Sequence, residues 1–383
     1  MRKRVAILVG VPTPYREPLF ERLAGCEHYE PLVLYCREKQ PSQNWKLDKP
    51  AYPAVYLENY APRSWHGHLM IGAINPGVGR ELRAFRPDAV IIYGYSSATT
   101  IQAILWADRH RVPVLMRSDS NVLEEDGKPP HLLAVKRLFL RWLTQRATGF
   151  LTVGTSNSQY WLRYGAKPEQ IFLARYAVDN DYFRSQAALH RACRRQIREE
   201  YGWRQRYLLL FVGRLVAVKG VDVLIEAVRR ISAARSDIGL LLVGEGPERE
   251  SLEKQAQGLP QVFFLGFRDW KDLPRFYAAA DLFVLPSRVD QWGLVVNEAM
   301  ASGLPVLATR KVGAGRDLIV ESETGFVVPE DDTEAMASAI DRACRSVEGL
   351  RAMGERAQQA VECWNYDATL SGFYQALNHC LAS

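Results

Sequence analysis

The stretch Ala280-Asp-Leu-Phe-Val-Leu-Pro-Ser-Arg-Val-Asp290-Gln-Trp-Gly-Leu-Val-Val-Asn-Glu298-Ala-Met-Ala-Ser-Gly-Leu-Pro-Val306 changes backbone state several times within one short run. Its aliphatic run at 282–285 is too short for a helix and reads as a buried strand ending at Pro286-Ser287. A loop follows. Gly293 permits close backbone approach there, and a helix opens at Leu294 with free N-terminal amides that suit an anion. Residues 305–308 begin the next strand. Asp290 sits in the loop and Glu298 in the helix. Such carboxylates accept hydrogen bonds from sugar hydroxyls, one set on a hexose and one on a nucleotide ribose. Read alone, the same two residues are equally an exposed loop aspartate and a solvated helix glutamate.

The alternation extends in both directions. In the second half, strands are expected at 207–212, 239–243, 262–265, 282–285, 305–308 and 325–328. Helices are expected there at 221–232, 248–257, 273–279, 295–301, 315–320 and 333–346. In the first half the strands read 5–9, 31–35, 89–93, 112–116 and 150–153, with helices at 18–24, 99–109 and 132–146. Strands alternating with helices imply parallel α/β sheets, and two such series imply two Rossmann-like, doubly wound domains. The expected division is 1–185, 205–362 and a C-terminal helix in 363–383 that returns to the first domain. The Arg-rich stretch 189–201 reads as a solvated linker helix or a membrane-facing basic one.

At 383 residues the chain is too long for one ordinary core, and 48% hydrophobic with 24% charged residues is the profile of a globular protein. No apolar run approaches the roughly 20 residues of a membrane span. The charged start and short apolar run 5–9 read as a first buried strand, not a signal peptide. Six scattered cysteines without a C-x-x-C pair argue against zinc and a disulfide framework and point to a reducing cytoplasm. The net charge of +6 is either attraction to phosphate-bearing partners or a mildly basic surface without meaning. Nucleic acid is not expected, for lack of a binding motif or basic tail.

The second series opens with Phe211-Val-Gly-Arg-Leu-Val-Ala-Val-Lys-Gly220: a strand, a turn, then a helix. In a doubly wound sheet ligands bind beyond the carboxyl ends of the strands, where Arg214 and Lys219 would project. A guanidinium fork and a mobile ammonium together suit a diphosphate leaving group without a metal. The alternative is a plain strand-turn-helix with two surface cations.

With these stretches in place, the chain resembles the retaining glycosyltransferase family four of the GT-B fold (glycosyl transferases group 1). The likeness is sharper in the second half. Asp290-x7-Glu298, Ala299-Met300 and Gly303-Leu-Pro-Val306 follow the family's acidic motif. Gly213-Arg214 with Lys219-Gly220, Gly244-Glu-Gly-Pro247 and Thr324-Gly325-Phe326 with Pro329 match further motifs in order. The resemblance implies two Rossmann-like domains facing a deep cleft that closes over a nucleotide-diphosphate sugar. It assigns Glu298 to the ribose, Asp290 to the transferred sugar, and Arg214 and Lys219 to the diphosphate. Gly213, Gly293 and Leu294 line the donor, and Phe267 lies by the base. It also implies retention of configuration and no metal. Asp331-Asp332 reads as helix N-terminal charge, not as a metal motif.

Three departures stand out: Asp290 replaces the first motif Glu, the first loop Gly10–Pro18 lacks paired glycines, and the fourth strand is followed by Arg117 and Asp119 where many members have a His. Asp119 either contacts sugar or acceptor, as a catalytic residue would, or caps a turn. Acceptor candidates are Thr13, Tyr15, Arg16 and the loop Tyr93-Gly-Tyr-Ser96, with Tyr95 able to stack on a sugar or simply to pack. Trp45, residues 65–70 and the basic helix bearing Lys136, Arg137 and Arg141 suggest peripheral contact at the inner face of a membrane; snorkelling cations on a core-packed helix are the alternative. His66 and His68 read as loop histidines. The expected activity is transfer of a sugar to a saccharide or lipid-linked acceptor in polysaccharide or glycolipid synthesis. The rival is a non-catalytic donor-binding subunit that partners an active enzyme.

Overall fold

The computed structural model describes residues 2–39, 48–62, 73–124 and 129–382. The chain forms two compact units: 1–176 with 366–383, and 177–365.

The first unit is built on a parallel sheet of seven strands. In chain order these are β1 Lys3–Val9, β2 Tyr29–Tyr35, β3 Ala54–Tyr56, β4 Ala89–Tyr93, β5 Val114–Arg117, β6 Gly149–Thr152 and β7 Ile171–Leu173. They lie in the order β3-β2-β1-β4-β5-β6-β7. The helices between them are α1 Glu17–Ala24, α2 Val78–Phe85, α3 Ala98–His110, α4 Pro130–Thr144 and α5 Thr155–Arg163. Central strands such as Ala89–Ile92 are wholly buried, as expected of a parallel sheet covered on both faces. The three-residue edge strands β3 and β7 were not expected from the sequence, because three residues show no period.

A C-terminal helix, Tyr366–Leu381, belongs to this unit and packs on β6 and β7. Its Thr369 hydroxyl donates to the Arg175 carbonyl at 2.6 Å and its Tyr366 hydroxyl to the Tyr15 carbonyl at 3.1 Å. Gly372 is required there, since a Cβ would stand 2.3 Å from the Leu173 carbonyl oxygen.

The second unit opens with α6 Asn180–Ala192 and α7 Arg194–Glu200. Its six parallel strands are β8 Tyr207–Val212, β9 Ile238–Val243, β10 Val262–Gly266, β11 Leu282–Leu285, β12 Val306–Thr309 and β13 Gly325–Val328, in the order β10-β9-β8-β11-β12-β13. Between and after them run α8 Val221–Ser232, α9 Arg249–Gln255, α10 Leu273–Ala279, α11 Leu294–Ala301, α12 Gly313–Leu318, α13 Thr333–Ala343 and α14 Val347–Val361.

The stretch 189–201 is helical and mostly exposed, as a solvated helix would be, but one face of it is docked. It lies in α6 and α7, which pack on α10 and α11. Asp281, 5% exposed at its side chain, accepts from Arg198 at 2.6 Å and also pairs with Arg194. Arg191 donates to the Ser302 carbonyl at 2.7 Å. These arginines satisfy buried acceptors at helix ends, which is why a charge-dense segment docks on a core. Both helices belong to the second unit, which begins at 177. Among the described residues no helix is long and apolar enough to cross a membrane.

Candidate functional site

Each sheet has one place where the strand order reverses direction, and a crevice forms beyond the carboxyl ends of the strands at such a switch point. In the second unit the switch lies between β8 and β11, so the loops that follow these two strands meet.

The β8 loop is held main chain to main chain. Gly220 has φ +64°, and a Cβ on it would stand 2.1 Å from the Pro286 carbonyl oxygen at the end of β11. Gly244, φ +142°, would bring a Cβ to 1.8 Å from the Gly213 carbonyl oxygen. Only glycine fits either position. Between these contacts Arg214 is exposed and its guanidinium has no partner among the described residues. Lys219 ends a single 3-10 turn, and its Nζ reaches Asp290 Oδ2 at 2.5 Å with both side chains largely covered.

Asp290 is fixed from the other side. Its amide donates to the Lys311 carbonyl at 2.9 Å, and its carbonyl accepts from the Gly313 amide at 3.0 Å. Gly293, φ +85°, precedes the first turn of α11, so the amide end of that helix and Leu294 stand beside the Lys219–Asp290 pair. On α11, Glu298 is partly buried and accepts from the Tyr277 hydroxyl at 2.8 Å. Burial pushes its carboxyl up to about 7, and the Tyr277 hydrogen bond opposes that rise. Phe267 is 39% exposed just beyond Gly266, whose φ is +72°.

The sequence did not point to Tyr277 as the partner of Glu298, nor to the Lys311–Gly313 segment that holds Asp290. Tyr277 lies in an apolar helix with nothing to separate it from core aromatics. Arg288, within the quoted stretch, is structural: it forks onto Asp222 at 2.6 and 3.0 Å and reaches Asp331 at 2.7 Å. Asp332 caps α13 by accepting from the Ala335 amide at 2.9 Å.

Asp119, Tyr15, Arg16 and Tyr95 lie in the first unit. Tyr15 and Arg16 follow β1, and the Arg16 guanidinium lies 5.0 Å from the Tyr93 ring. Tyr95 is not a surface platform for a sugar. It is a core residue whose hydroxyl bonds Ser120 Oγ at 2.9 Å and the Tyr160 hydroxyl at 2.8 Å, with its ring edge against Trp161. Lys136 stands over the Tyr160 ring at 4.8 Å and is packed in, whereas Arg137 and Arg141 are exposed. Trp45, His66, His68 and residues 65–70 lie outside the described residues.

Two Rossmann-like units, the second with a glycine-built turn and a lysine–aspartate pair at its switch point, define the class of GT-B proteins. The model for glycosyl transferases group 1 matches residues 194–360, and that for the glycosyl transferase 4-like domain matches residues 12–177. This chain belongs to the group 1 glycosyltransferase family.

Among curated relatives it is 29% identical to a sulfoquinovosyl transferase of Arabidopsis thaliana over 77% of this chain and 57% of that protein. It is 37% identical to an alpha-D-kanosaminyltransferase of Streptomyces kanamyceticus over 43% of this chain and 44% of that one. A GDP-mannose-dependent alpha-(1-6)-phosphatidylinositol monomannoside mannosyltransferase of Mycolicibacterium smegmatis is 32% identical over 49% and 51%. The chain thus spans about half the length of the curated relatives it matches. Among solved structures, sucrose-phosphate synthase of Thermosynechococcus elongatus shares the fold over 100% of both chains (TM-score 0.76, 22% identity). Anabaena HepE in complex with UDP shares it over 99% of this chain and 100% of that one (TM-score 0.75, 19% identity).

Proposed function

We propose that this protein is a retaining glycosyltransferase that moves a sugar from a nucleoside-diphosphate sugar to a saccharide or lipid-linked acceptor, in polysaccharide or glycolipid synthesis and without a metal ion. The observation that carries this reading is the Lys219–Asp290 pair, set between the glycine-built β8 turn and the amide end of α11. Arg214, Lys219 and the Gly293–Leu294 amides supply positive charge to a departing diphosphate. An incoming diphosphate takes the Lys219 ammonium from Asp290, which leaves that carboxylate free for a hydroxyl of the transferred sugar. Glu298 holds the ribose, with Gly213 and Phe267 along the nucleotide. In the reaction the bond from the anomeric carbon to the phosphate oxygen breaks. The acceptor oxygen attacks from the same face, and its proton passes to the leaving phosphate. Positioning and charge stabilisation carry such a step. Tyr15, Arg16 and Asp119 serve the acceptor.

Thermal unfolding with UDP, GDP, ADP, TDP and CMP, each with magnesium or chelator, tests this reading, because a ligand of the native state raises the midpoint by mass action. A rise with one diphosphate that survives chelator is expected. No rise with any of them would sink the donor site, and binding without transfer would favour the non-catalytic subunit.

A second observation bears on the acceptor. On α4, Leu132, Val135 and Leu138 are 55%, 67% and 71% exposed, at helical spacing along one face, beside exposed Arg137 and Arg141. Such a face suits the surface of an anionic membrane. Leu138→Asp should abolish co-sedimentation with vesicles containing phosphatidylglycerol while leaving the unfolding midpoint in place. Unchanged sedimentation would refute membrane contact through α4.

A further inference from the structure

The first sheet also has a switch point, between β1 and β4, and Thr13, Arg16, Tyr93, Arg117 and Ser118 lie at or just beyond the carboxyl ends of β1, β4 and β5 there, with both arginines against the Tyr93 ring. Arg117 ends β5 and is 4% exposed. Its guanidinium donates to the Ala174 carbonyl at 2.9 Å and is otherwise ringed by Tyr93, Tyr176 and Phe373 at 5.7, 5.6 and 5.2 Å. Arg16 also lies against Tyr93, at 5.0 Å, is hydrogen-bonded to the Tyr176 hydroxyl, and stands 5.2 Å from the Tyr15 ring.

Neither arginine pairs with a carboxylate among the described residues. Asp119, next along the chain from Ser118, bears electrostatically on Tyr176. Two guanidinium groups therefore share one covered site whose immediate neighbours are chiefly aromatic. Ring faces attract a guanidinium but bring no counter-charge, and a buried cation ordinarily has one. The arginines on Asp281 in the second unit show the ordinary solution.

The hydrogen-bond count is also incomplete. Thr13 Oγ1, Arg16 Nε, the Tyr93 hydroxyl and Ser118 Oγ are buried atoms without a partner. Thr13 is 2% exposed and Ser118 8%. Unpartnered polar atoms are uncommon in folded interiors, and several at the same end of one sheet as two arginines without a carboxylate need an explanation. A tetrahedral oxyanion supplies both missing items: negative charge for the guanidiniums and several acceptor oxygens for the hydroxyls.

We infer that Arg16 and Arg117, with the hydroxyls of Thr13, Tyr93 and Ser118, form a receptor for a phosphate ester carried by the acceptor. This rests on the proposed reading that the first unit serves the acceptor, and it names the acceptor's class: a phosphorylated sugar or a phosphate-bearing lipid headgroup. The C-terminal helix is part of the receptor's support, through Phe373 against Arg117 and the Tyr366 hydroxyl on the Tyr15 carbonyl.

Calorimetric titration of the full chain, saturated with whichever nucleoside diphosphate stabilises it, tests this with glucose, glucose 6-phosphate and dihexanoyl phosphatidylinositol. At least one phosphorylated probe should bind about tenfold or more tighter than glucose, the scale of one charge-assisted contact. The tighter of the two identifies the soluble or the lipid source. Arg16→Gln should erase the preference. Tyr93→Phe, which removes only an unpartnered hydroxyl, should weaken it by about threefold without lowering the unfolding midpoint. Nucleotide affinity should be unchanged in both variants. Equal affinity for charged and neutral probes, or a preference that survives Arg16→Gln, overturns the receptor and leaves the proposed function standing. If no nucleotide binds, the proposed function falls, while phosphate-ester binding to the free chain that Arg16→Gln removes still upholds the receptor.

Discussion

The two switch points have the same topology and opposite chemistry. In the second unit the loops after β8 and β11 touch through glycine backbone, and the side chains pair carboxylate with cation: Lys219 with Asp290, Arg288 with Asp222. In the first unit the loops after β1 and β4 meet through arginine and tyrosine side chains, and Gly10 and Gly94 have open space where a Cβ would go. One end is built from main chain and suits a group common to many donors, such as a diphosphate. The other is built from side chains, which substitution changes freely, and suits a partner peculiar to this protein.

The contrast breaks most readily at the glycines. Gly220→Ala should cost about 2–4 kcal/mol, because it adds a Cβ both against backbone and at a left-handed φ. Gly10→Ala, with nothing within 4 Å of the new Cβ, should leave stability within about 0.5 kcal/mol of the parent. Denaturant unfolding of the two variants checks this, and similar losses in both would remove the asymmetry.

Next in size are the paired charges. Lys219→Ala and Glu298→Ala should each slow transfer by at least about tenfold, or roughly 1.4 kcal/mol of barrier. Asp290→Asn should slow transfer as well, yet bind free nucleoside diphosphate more tightly, since Lys219 is then unclaimed. Weaker diphosphate binding in Asp290→Asn would count against the exchange of partners proposed for Lys219.

The smallest expected effect is a pH dependence. The Glu298 carboxyl is raised in the fold from 4.5 to about 7. Its contribution to stability is therefore complete below about 4.5 and is lost as pH rises through about 7. Ribose hydroxyls donate to the ionised form, so nucleotide affinity should rise a few-fold across the upper part of that window while the stability of the free chain falls. Glu298→Gln should flatten both trends. Parallel calorimetry and unfolding from about pH 5.5 to 8.5 would show whether the two run in opposite directions, and a common direction would exclude Glu298 as the ribose ligand.

The same asymmetry explains what was legible in the sequence. Strands β8, β11 and β13 begin and end where the aliphatic runs do, and the glycines between them mark turns that no other residue fits, so the second half could be read nearly element by element. The Lys219–Asp290 pair itself was not legible: the sequence offered the two as separate ligands of diphosphate and sugar, and only the fold sets them against each other. In the first half β3 and β7 are three-residue edges without a period, and α2 and α5 follow turns that carry no strong cap. Tyr95 read as either a strand-end platform or a packing residue, and only tertiary packing, its hydroxyl on Tyr160 and Ser120, decides for the core. The docked face of α6–α7 was not legible for a related reason. A run of arginines looks solvated until the buried Asp281 that it serves lies beside it.

The return of Tyr366–Leu381 to the first unit also sets an order of assembly. The second unit is an insertion within the first, so on the ribosome it is complete before the helix that closes its predecessor has emerged. Until then the Leu173 and Ala174 backbone that receives Gly372, and the Arg117 face that receives Phe373, stand open to solvent. Domains generally fold as units during synthesis. Here the half begun first is finished last, and a chain truncated after residue 365 and released should hold a folded second unit beside an unfinished first one, which limited proteolysis would reveal.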